Sequence, residues 1–358
     1  MEIKDILKVM QEKDASDLFI KVGEPISMRI KGTVSPMHDF PALELNEINK
    51  FIETICDDHH MKIFQEHKDV DFAIDIGDMG RMRVSLFQQR GVPSLVMRRI
   101  KKIVGNFKDL NLPDQVLSKL SQEMRGLVLL TGPAGSGKST TIASVIEYIN
   151  QNSSRHIVTV EDPIEFLFED KKSIINQREL GVDVKSYPMA LRQIVLQSPD
   201  VIFIGTIRDL PTMSAAIVAA EMGMLVLSCV HTVNAAQTLE RIMNFFPPYQ
   251  HGEVRMQLSF LLKGVVSLRL IPRFNEAGRI PAYEVMTLTP TISRLIRENK
   301  LQDISKYLEK GEMFGMRSFR QSLSKLVREN KISKEDARSF ADSKEELDLE
   351  LKGISRLG

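Results

Sequence analysis

Apolar and polar positions alternate through most of the first hundred residues. Short segments read as strands: DLFIKVG and SMRIKGTV, separated by Gly-Glu-Pro, then VDFAIDIG, RMRVSLFQQ and SLVMRRI. Met82, Val84 and Leu86 fall on one side of such a segment, the period of a strand with one buried face. One helical stretch, about residues 45–56, interrupts them, and MEIKDILKVMQEK at the start reads as an amphipathic helix. The pattern predicts a small α+β domain built on an antiparallel sheet. It gives way at KKIVGNFKDLNLPDQ, where lysines, a glycine and Pro113 follow no clear period and predict a linker over residues 101–113.

Beyond the linker the period changes. GLVLLTG, HIVTVED, DVIFIG and MLVLSCVHT are continuous apolar runs, separated by helical stretches that include one from Lys138 and one around Pro188 to Leu196. Strands buried on both faces and joined by helical crossovers read this way, which predicts an α/β core with a parallel sheet. After about Pro290 the chain becomes helical and highly charged, through TISRLIRENK, MRSFRQSLSKLVREN and SKEELDLELKGI. The organisation expected is an α+β domain over residues 1–105, an α/β core over 106–290 and a helical C-terminal region over 291–358.

Composition narrows the function classes. The 358 residues hold 48 Lys and Arg against 47 Asp and Glu, a net charge of +1, so bulk charge gives no reason to expect nucleic acid or anionic lipid as partner. Cys56 and Cys229 lie far apart and form no C-x-x-C pair, which argues against a disulfide framework and a zinc ribbon. The charged opening segment lacks the apolar centre of a signal peptide, and no stretch approaches the ~20 apolar residues of a membrane span. A soluble, cytoplasmic protein is expected.

The strongest chemical signal is Gly132-Pro133-Ala134-Gly135-Ser136-Gly137-Lys138-Ser139, which fits G-x-x-x-x-G-K-[ST] between an apolar strand and a helix. In that setting the backbone from Pro133 through Thr140 would cradle phosphates at a helix N-terminus, Lys138 would reach the β- and γ-phosphates, and Ser139 would ligate Mg²⁺. The expected ligands are therefore ATP and Mg²⁺.

Hydrolysis also needs a group that orients or activates water. Glu161 and Asp162 end the run HIVTVED, at the strand end where open α/β sheets bind ligands, although acids there can also serve only to cap the strand. SPDVIFIGTIRD has the apolar run of a Walker B strand but carries Thr206 where a carboxylate is expected, and a threonine hydroxyl is no base at neutral pH. His231 ends MLVLSCVHT, as a site residue or as a satisfied structural histidine. Cys56-Asp57-Asp58-His59-His60 is a weak metal candidate, because adjacent histidines on a helix point apart. The arginines of RMRVSLFQQR and VMRRI, Arg83 and Arg98 among them, form a solvated strand face or donate in trans to a site between subunits.

These motifs resemble those of the secretion-type ATPases, and in particular the PilT/PilU group that retracts type IV pili. ASDLFIKVGEPISMRIKG is similar to the family's opening strands, and LNLP followed by RGLVLLTGPAGSGKST to its entry into the second domain. VEDPIEF is similar to its aspartate motif, AAEMGMLVLSCVHTVNAAQTLER to its histidine motif with His231 and Arg241 retained, and TISRLIRENK to its AIRNLIRE element.

The resemblance implies a RecA-like P-loop core with a smaller PAS-like N-terminal domain. It implies a homo-hexameric ring holding ATP between one subunit's second domain and its neighbour's first, with Glu161, Lys138, His231 and Arg241 as catalytic residues. It further implies a pilus-retraction motor at the cytoplasmic face of the inner membrane, engaging a platform protein. The four-cysteine zinc element of assembly relatives is absent, which favours retraction over extension, and the ending ADSKEELDLELKGI looks more like the PilU branch.

Three departures bear on the chemical step. Thr206 stands where the family has its Walker B glutamate, Leu196 where it has a second arginine, and Met224 where its first motif histidine lies. Reduced turnover is expected, with a nucleotide-binding accessory subunit beside a competent paralogous retraction ATPase as the alternative. A DNA translocase of similar core fold would need a local basic path, so no nucleic-acid partner is expected.

Overall fold

The computed structural model describes residues 3–30, 32–77, 80–100 and 104–353. The chain divides into two compact units, residues 1–102 with 165–167, and residues 103–164 with 168–358.

The first unit contains α1 (Ile3–Glu12), β1 (Asp17–Lys21), β2 (Ser27–Ile30), β3 (Thr33–Pro36), α2 (Leu45–Ile55), α3 (Asp58–His67), β4 (Asp69–Asp75), β5 (Arg81–Gln89) and β6 (Val92–Arg99). Among the described residues its six strands pair antiparallel in the order β3-β2-β1-β6-β5-β4. The period-2 pattern explains the burial: Met82, Val84 and Leu86 point inward with Leu18, Ile20, Leu95 and Met97. Helix α1 covers this core with Ile3, Ile6, Leu7 and Met10, a single helical stripe, and α2 adds Ile48, Phe51, Ile52 and Ile55. Arg90 (φ 49°) and Gly91 (φ 83°) make the two-residue turn between β5 and β6, and left-handed dihedrals at both positions suit the twist of a tight hairpin.

Helix α3 buries no residue fully, and its apolar side is weak, with Met61, Ile63 and Phe64 half-buried against the same core. It holds the Cys-Asp-Asp-His-His segment. The Asp57 side chain accepts from the His60 N–H as the helix N-cap, and the His60 ring stacks on Phe72 with centroids 4.2 Å apart. This segment builds a helix start, and among the described residues no cluster of His, Cys, Asp or Glu is gathered for a metal.

The second unit begins with α4 (Asp114–Gln122), β7 (Gly126–Thr131), α5 (Lys138–Asn152), β8 (His156–Glu161), β9 (Ile174–Glu179), α6 (Tyr187–Ile194), β10 (Val201–Ile204), α7 (Leu210–Glu221), β11 (Leu225–Val230) and α8 (Ala235–Met243). It continues with α9 (His251–Leu261), β12 (Leu262–Pro272), β13 (Arg279–Thr287), α10 (Pro290–Arg297), α11 (Ile304–Lys310), α12 (Phe319–Arg328), α13 (Lys334–Phe340) and α14 (Lys344–Leu351). The sheet order is β13-β12-β7-β11-β10-β8-β9, parallel throughout except for β13. Every residue of β7, β10 and β11 is buried, as expected of central strands with helices on both faces. The charged C-terminal helices have a core of their own, in which Phe319, Leu323, Leu326, Ala337 and Leu347 pack on Ile271, Ile280 and Ala282 of the β12–β13 hairpin. Among the described residues no helix is long and apolar enough to cross a membrane.

Candidate active site

The parallel strands bring their carboxyl ends to one edge, and the loop from β7 to α5 lies there. Gly132 takes φ 144°, and a Cβ on it would collide with the Ser136 hydroxyl and come within 2.6 Å of the Leu268 carbonyl, so only glycine fits. Gly135 (φ 74°) and Gly137 (φ 95°) bend the remaining turn. Pro133, Ala134 and Gly135 are exposed, while Ser136 and Lys138 are buried. The Lys138 ammonium donates to the carbonyl oxygens of Gly132 (2.7 Å) and Pro133 (2.8 Å), which folds it back over the loop. Among the described residues the buried Ser136 hydroxyl has no hydrogen-bond partner.

Helix α5 starts from Gly137 with no side chain capping it, so its first N–H groups and its dipole face the loop. Ser139 and Thr140, half-buried, stand in that first turn. Exposed glycine backbone, an orphaned buried hydroxyl, a lysine and an uncapped helix start make up the donor set that a polyphosphate requires. Ser139 offers a hydroxyl in the first turn for a divalent cation carried on such phosphates.

Three strands beyond β7 complete the edge. His231 directly follows β11, which pairs with β7. Partial burial, then the positive charges of Lys138 and Arg208, hold its imidazole below the ordinary value against an opposing contact with the Gly132 backbone. His231 therefore lies at the phosphate loop, where its surroundings disfavour the charged imidazole.

Thr206, half-buried, follows β10, the next strand out. The nearby acid Asp209 is engaged as the N-cap of α7, where its carboxylate accepts from the Thr212 N–H at 2.8 Å. Glu161 ends β8, one strand further, and is 7% exposed. Its Oε1 accepts from the Thr159 hydroxyl (2.7 Å) and the Gln177 amide (3.2 Å). At ~4.8 Å between strands, the end of β10 lies roughly 10 Å and the end of β8 roughly 14 Å from the phosphate-loop strand. Thr206 thus stands one strand nearer the phosphate loop than Glu161.

The other site candidates are placed as follows. Arg241 lies on the exposed side of α8 with its guanidinium 5.1 Å from the Phe245 ring centroid. Leu196, in a short 3-10 turn after α6, is 80% exposed. Met224 is 8% exposed and belongs to the core beneath β11, so an apolar side chain fills that position.

Arg83 and Arg98 belong to the first unit and are cross-strand neighbours on β5 and β6. Arg83 pairs with Asp71 (3.2 Å) and Arg98 with Asp17 (2.7 Å), and Asp17 also receives Arg29. Burial alone would raise Asp17, but the Ser16 hydroxyl and the two arginines outweigh it and hold the carboxyl below its ordinary value.

Sequence reasoning missed Thr159, Gln177 and Tyr187. Thr159 carried a local signal, since period 2 puts it on the same strand face as Glu161. Gln177 carried none, because only the pairing of β8 with β9 brings it alongside. Tyr187 lies at the start of α6, and its hydroxyl reaches across to the end of β10.

The profile of the type II/IV secretion system protein family matches residues 1–339. The chain belongs to this family. Within it, the chain is 39% identical over 352 residues to the type IV pilus ATPase PilU of Pseudomonas aeruginosa, covering 98% of this chain and 92% of the relative. It is 38% identical over 341 residues to the type IV pilus retraction ATPase PilT of the same organism, covering 95% and 98%. Its fold superposes on the crystal structure of the pilus retraction motor PilT with bound ADP at a TM-score of 0.91 and 42% identity, over 97% of this chain and 99% of that one. The Legionella pneumophila ATPase DotB shares the fold at a TM-score of 0.78 and 22% identity, over 94% of each chain. The expected RecA-like core with a smaller N-terminal domain agrees with these neighbours.

Proposed function

We propose that this chain is a P-loop ATPase of type IV pilus retraction, working as a homo-hexamer on ATP with Mg²⁺ and turning over slowly because Thr206 stands at the Walker B position. The observation that carries the ATPase reading is the phosphate loop, with Lys138 folded over it and the Ser136 hydroxyl buried at its base, unpartnered among the described residues. The pilus role rests on likeness to the PilT and PilU relatives over nearly the whole chain.

In this reading the loop from Pro133 to Thr140 holds the phosphates, Lys138 exchanges its two loop carbonyls for phosphate oxygens, and Ser139 takes the Mg²⁺. His231 senses the terminal phosphate, and Glu161 orders water. Arg83 and Arg98 reach a neighbouring subunit's nucleotide, and Arg241 contributes from α8. The ring works on a platform protein at the cytoplasmic face of the inner membrane.

A second reading is an accessory nucleotide-binding subunit acting beside a competent paralogue. Two observations favour it: Thr206 is no base, and Asp209 is taken up as a helix cap.

A binding titration beside a phosphate-release assay tests the proposal. Lys138→Ala is expected to weaken ATP binding by about tenfold or more, since charge-assisted contacts to phosphate are lost. Unchanged affinity would sink the assignment. The ring is expected to show as a species of six chain masses in the presence of nucleotide, the outcome of a head-to-tail contact that closes on itself. A monomer that persists at high concentration with ATP would overturn that part.

A further inference from the structure

The end of β10 is covered by a side chain from α6. Tyr187 is the first residue of α6, and Ser186 before it caps the helix by accepting from the Met189 N–H. The cap fixes where the helix begins and so where the tyrosine ring leaves it. The ring crosses to the strand ends. A Cβ on Gly205 would come within 2.9 Å of the Tyr187 hydroxyl, and within 3.4 Å of both the Glu161 Cα and the Val160 carbonyl. Gly205 is therefore glycine because a phenol oxygen and the β8 backbone fill the space beside it.

The groups facing the hydroxyl are those of the candidate site. Burial first, then the Asp162 carboxylate, push the phenol well above its ordinary value, with Glu161 adding to the rise. The Arg208 guanidinium and the Thr206 backbone N–H oppose it. One oxygen thus lies against the backbone at residues 205 and 206, in the field of both acids at the end of β8 and of Arg208.

We infer that Tyr187 is a positioning residue of the hydrolytic site: its hydroxyl, seated over Gly205, fixes the backbone at residues 205–206 and so sets the direction in which side chain 206 leaves β10. The inference rests on the ATPase reading above and deepens it. A side chain at residue 206 has to reach from the second strand toward the phosphate loop, so a small rotation of its backbone displaces the reacting end of the side chain by an ångström or more. Misplacement of that size can cost about 10²-fold in rate. The Phe variant keeps the ring and its packing and removes only the oxygen.

The test combines Tyr187→Phe with Thr206→Glu in the full-length protein. Four proteins are compared: parent, each single variant and the double variant. Tyr187→Phe is expected to leave the melting temperature and the ATP KM near their parent values and to lower kcat by about three- to tenfold. The gain in kcat from Thr206→Glu should shrink by a similar factor when the hydroxyl is missing, a coupling that a merely structural tyrosine would not produce. Peptide-level hydrogen exchange over residues 204–208 gives a readout that does not depend on turnover, and Tyr187→Phe should speed it severalfold.

Equal gains from Thr206→Glu in both backgrounds, or unchanged exchange over residues 204–208, would overturn the inference. Loss of ATP binding by the parent would instead strike the ATPase reading, and the exchange measurement would still decide whether the hydroxyl holds this backbone.

Discussion

Thr206→Glu is expected to raise steady-state ATP turnover by one to two powers of ten while leaving ATP affinity nearly unchanged. A general base is worth about 10²–10⁴-fold, and the threonine hydroxyl supplies none of it at neutral pH. The geometry explains why the loss is not made good nearby. Asp209, three residues on, has its carboxylate turned to the Thr212 N–H as a helix cap. Glu161 ends a strand one place further from the phosphate loop, and its Oε1 accepts from both Thr159 and Gln177.

Recovery should be partial. In the proposed reading Leu196 stands at an arginine position, and arginine donors stabilise transition-state charge in phosphoryl transfer. Being 80% exposed, that position accepts Leu196→Arg without disturbing a core, and adding this change should enlarge the gain. The opposite arrangement is also recognisable. If Glu161 already orders the water, Thr206→Glu should leave turnover alone or lower it through repulsion between carboxylates, and Glu161→Gln becomes the damaging change. A parent protein that hydrolyses ATP briskly and ignores both Thr206→Glu and Leu196→Arg would refute this account of the site.

Glu284→Gln should stabilise the protein above pH 7, and by much less near pH 5. Glu284 lies on β13, is 7% exposed, and accepts from the Ala235 N–H at 2.8 Å, which caps α8 just after the His231 loop. Burial pushes its carboxyl up to about 7 from an ordinary 4.5, with Asp342 adding to the rise and the Ala235 N–H and Arg269 opposing it. Arg269 is itself drawn toward Asp342 at 2.6 Å and over the Phe319 ring.

The folded chain therefore binds the Glu284 proton more tightly than the unfolded chain does. Stability from this group is greatest below the unfolded value, falls as pH rises from about 4.5, and is fully lost only above about 7. A rise of that size corresponds to a penalty on the order of 3 kcal/mol for the ionised form. Glutamine keeps an acceptor for Ala235 and carries no charge, so the penalty disappears. Melting temperatures of parent and variant at pH 8 and pH 5 measure it: the variant should melt several degrees higher at pH 8, with the gap narrowing at pH 5. A gap of equal size at both pH values would rule out the titration of Glu284 as its source.

What could be read from the chain alone was whatever short-range physics dictates. The phosphate loop was legible because its glycines, lysine and serine must be contiguous, and its flanks declared a strand and a helix. The alternation at Met82, Val84 and Leu86 gave the buried side of β5, and the unbroken apolar runs gave β7, β10 and β11 as central strands. The Thr206, Leu196 and Met224 departures were visible as letters.

Their consequences were not. Strand order decides that Thr206 stands nearer the phosphate loop than Glu161, and order follows from how crossovers pack, not from any one strand's composition. Helix α3 is faint in the sequence because its apolar side chains are only half-buried, and the Asp57 cap and the His60–Phe72 stack that also hold it are not periodic signals. The pairing of β8 with β9 brings Gln177 to Glu161, and the start of α6 carries the Tyr187 hydroxyl over Gly205. Contacts between side chains far apart in sequence depend on the closure of the whole sheet, so only the tertiary structure could decide them.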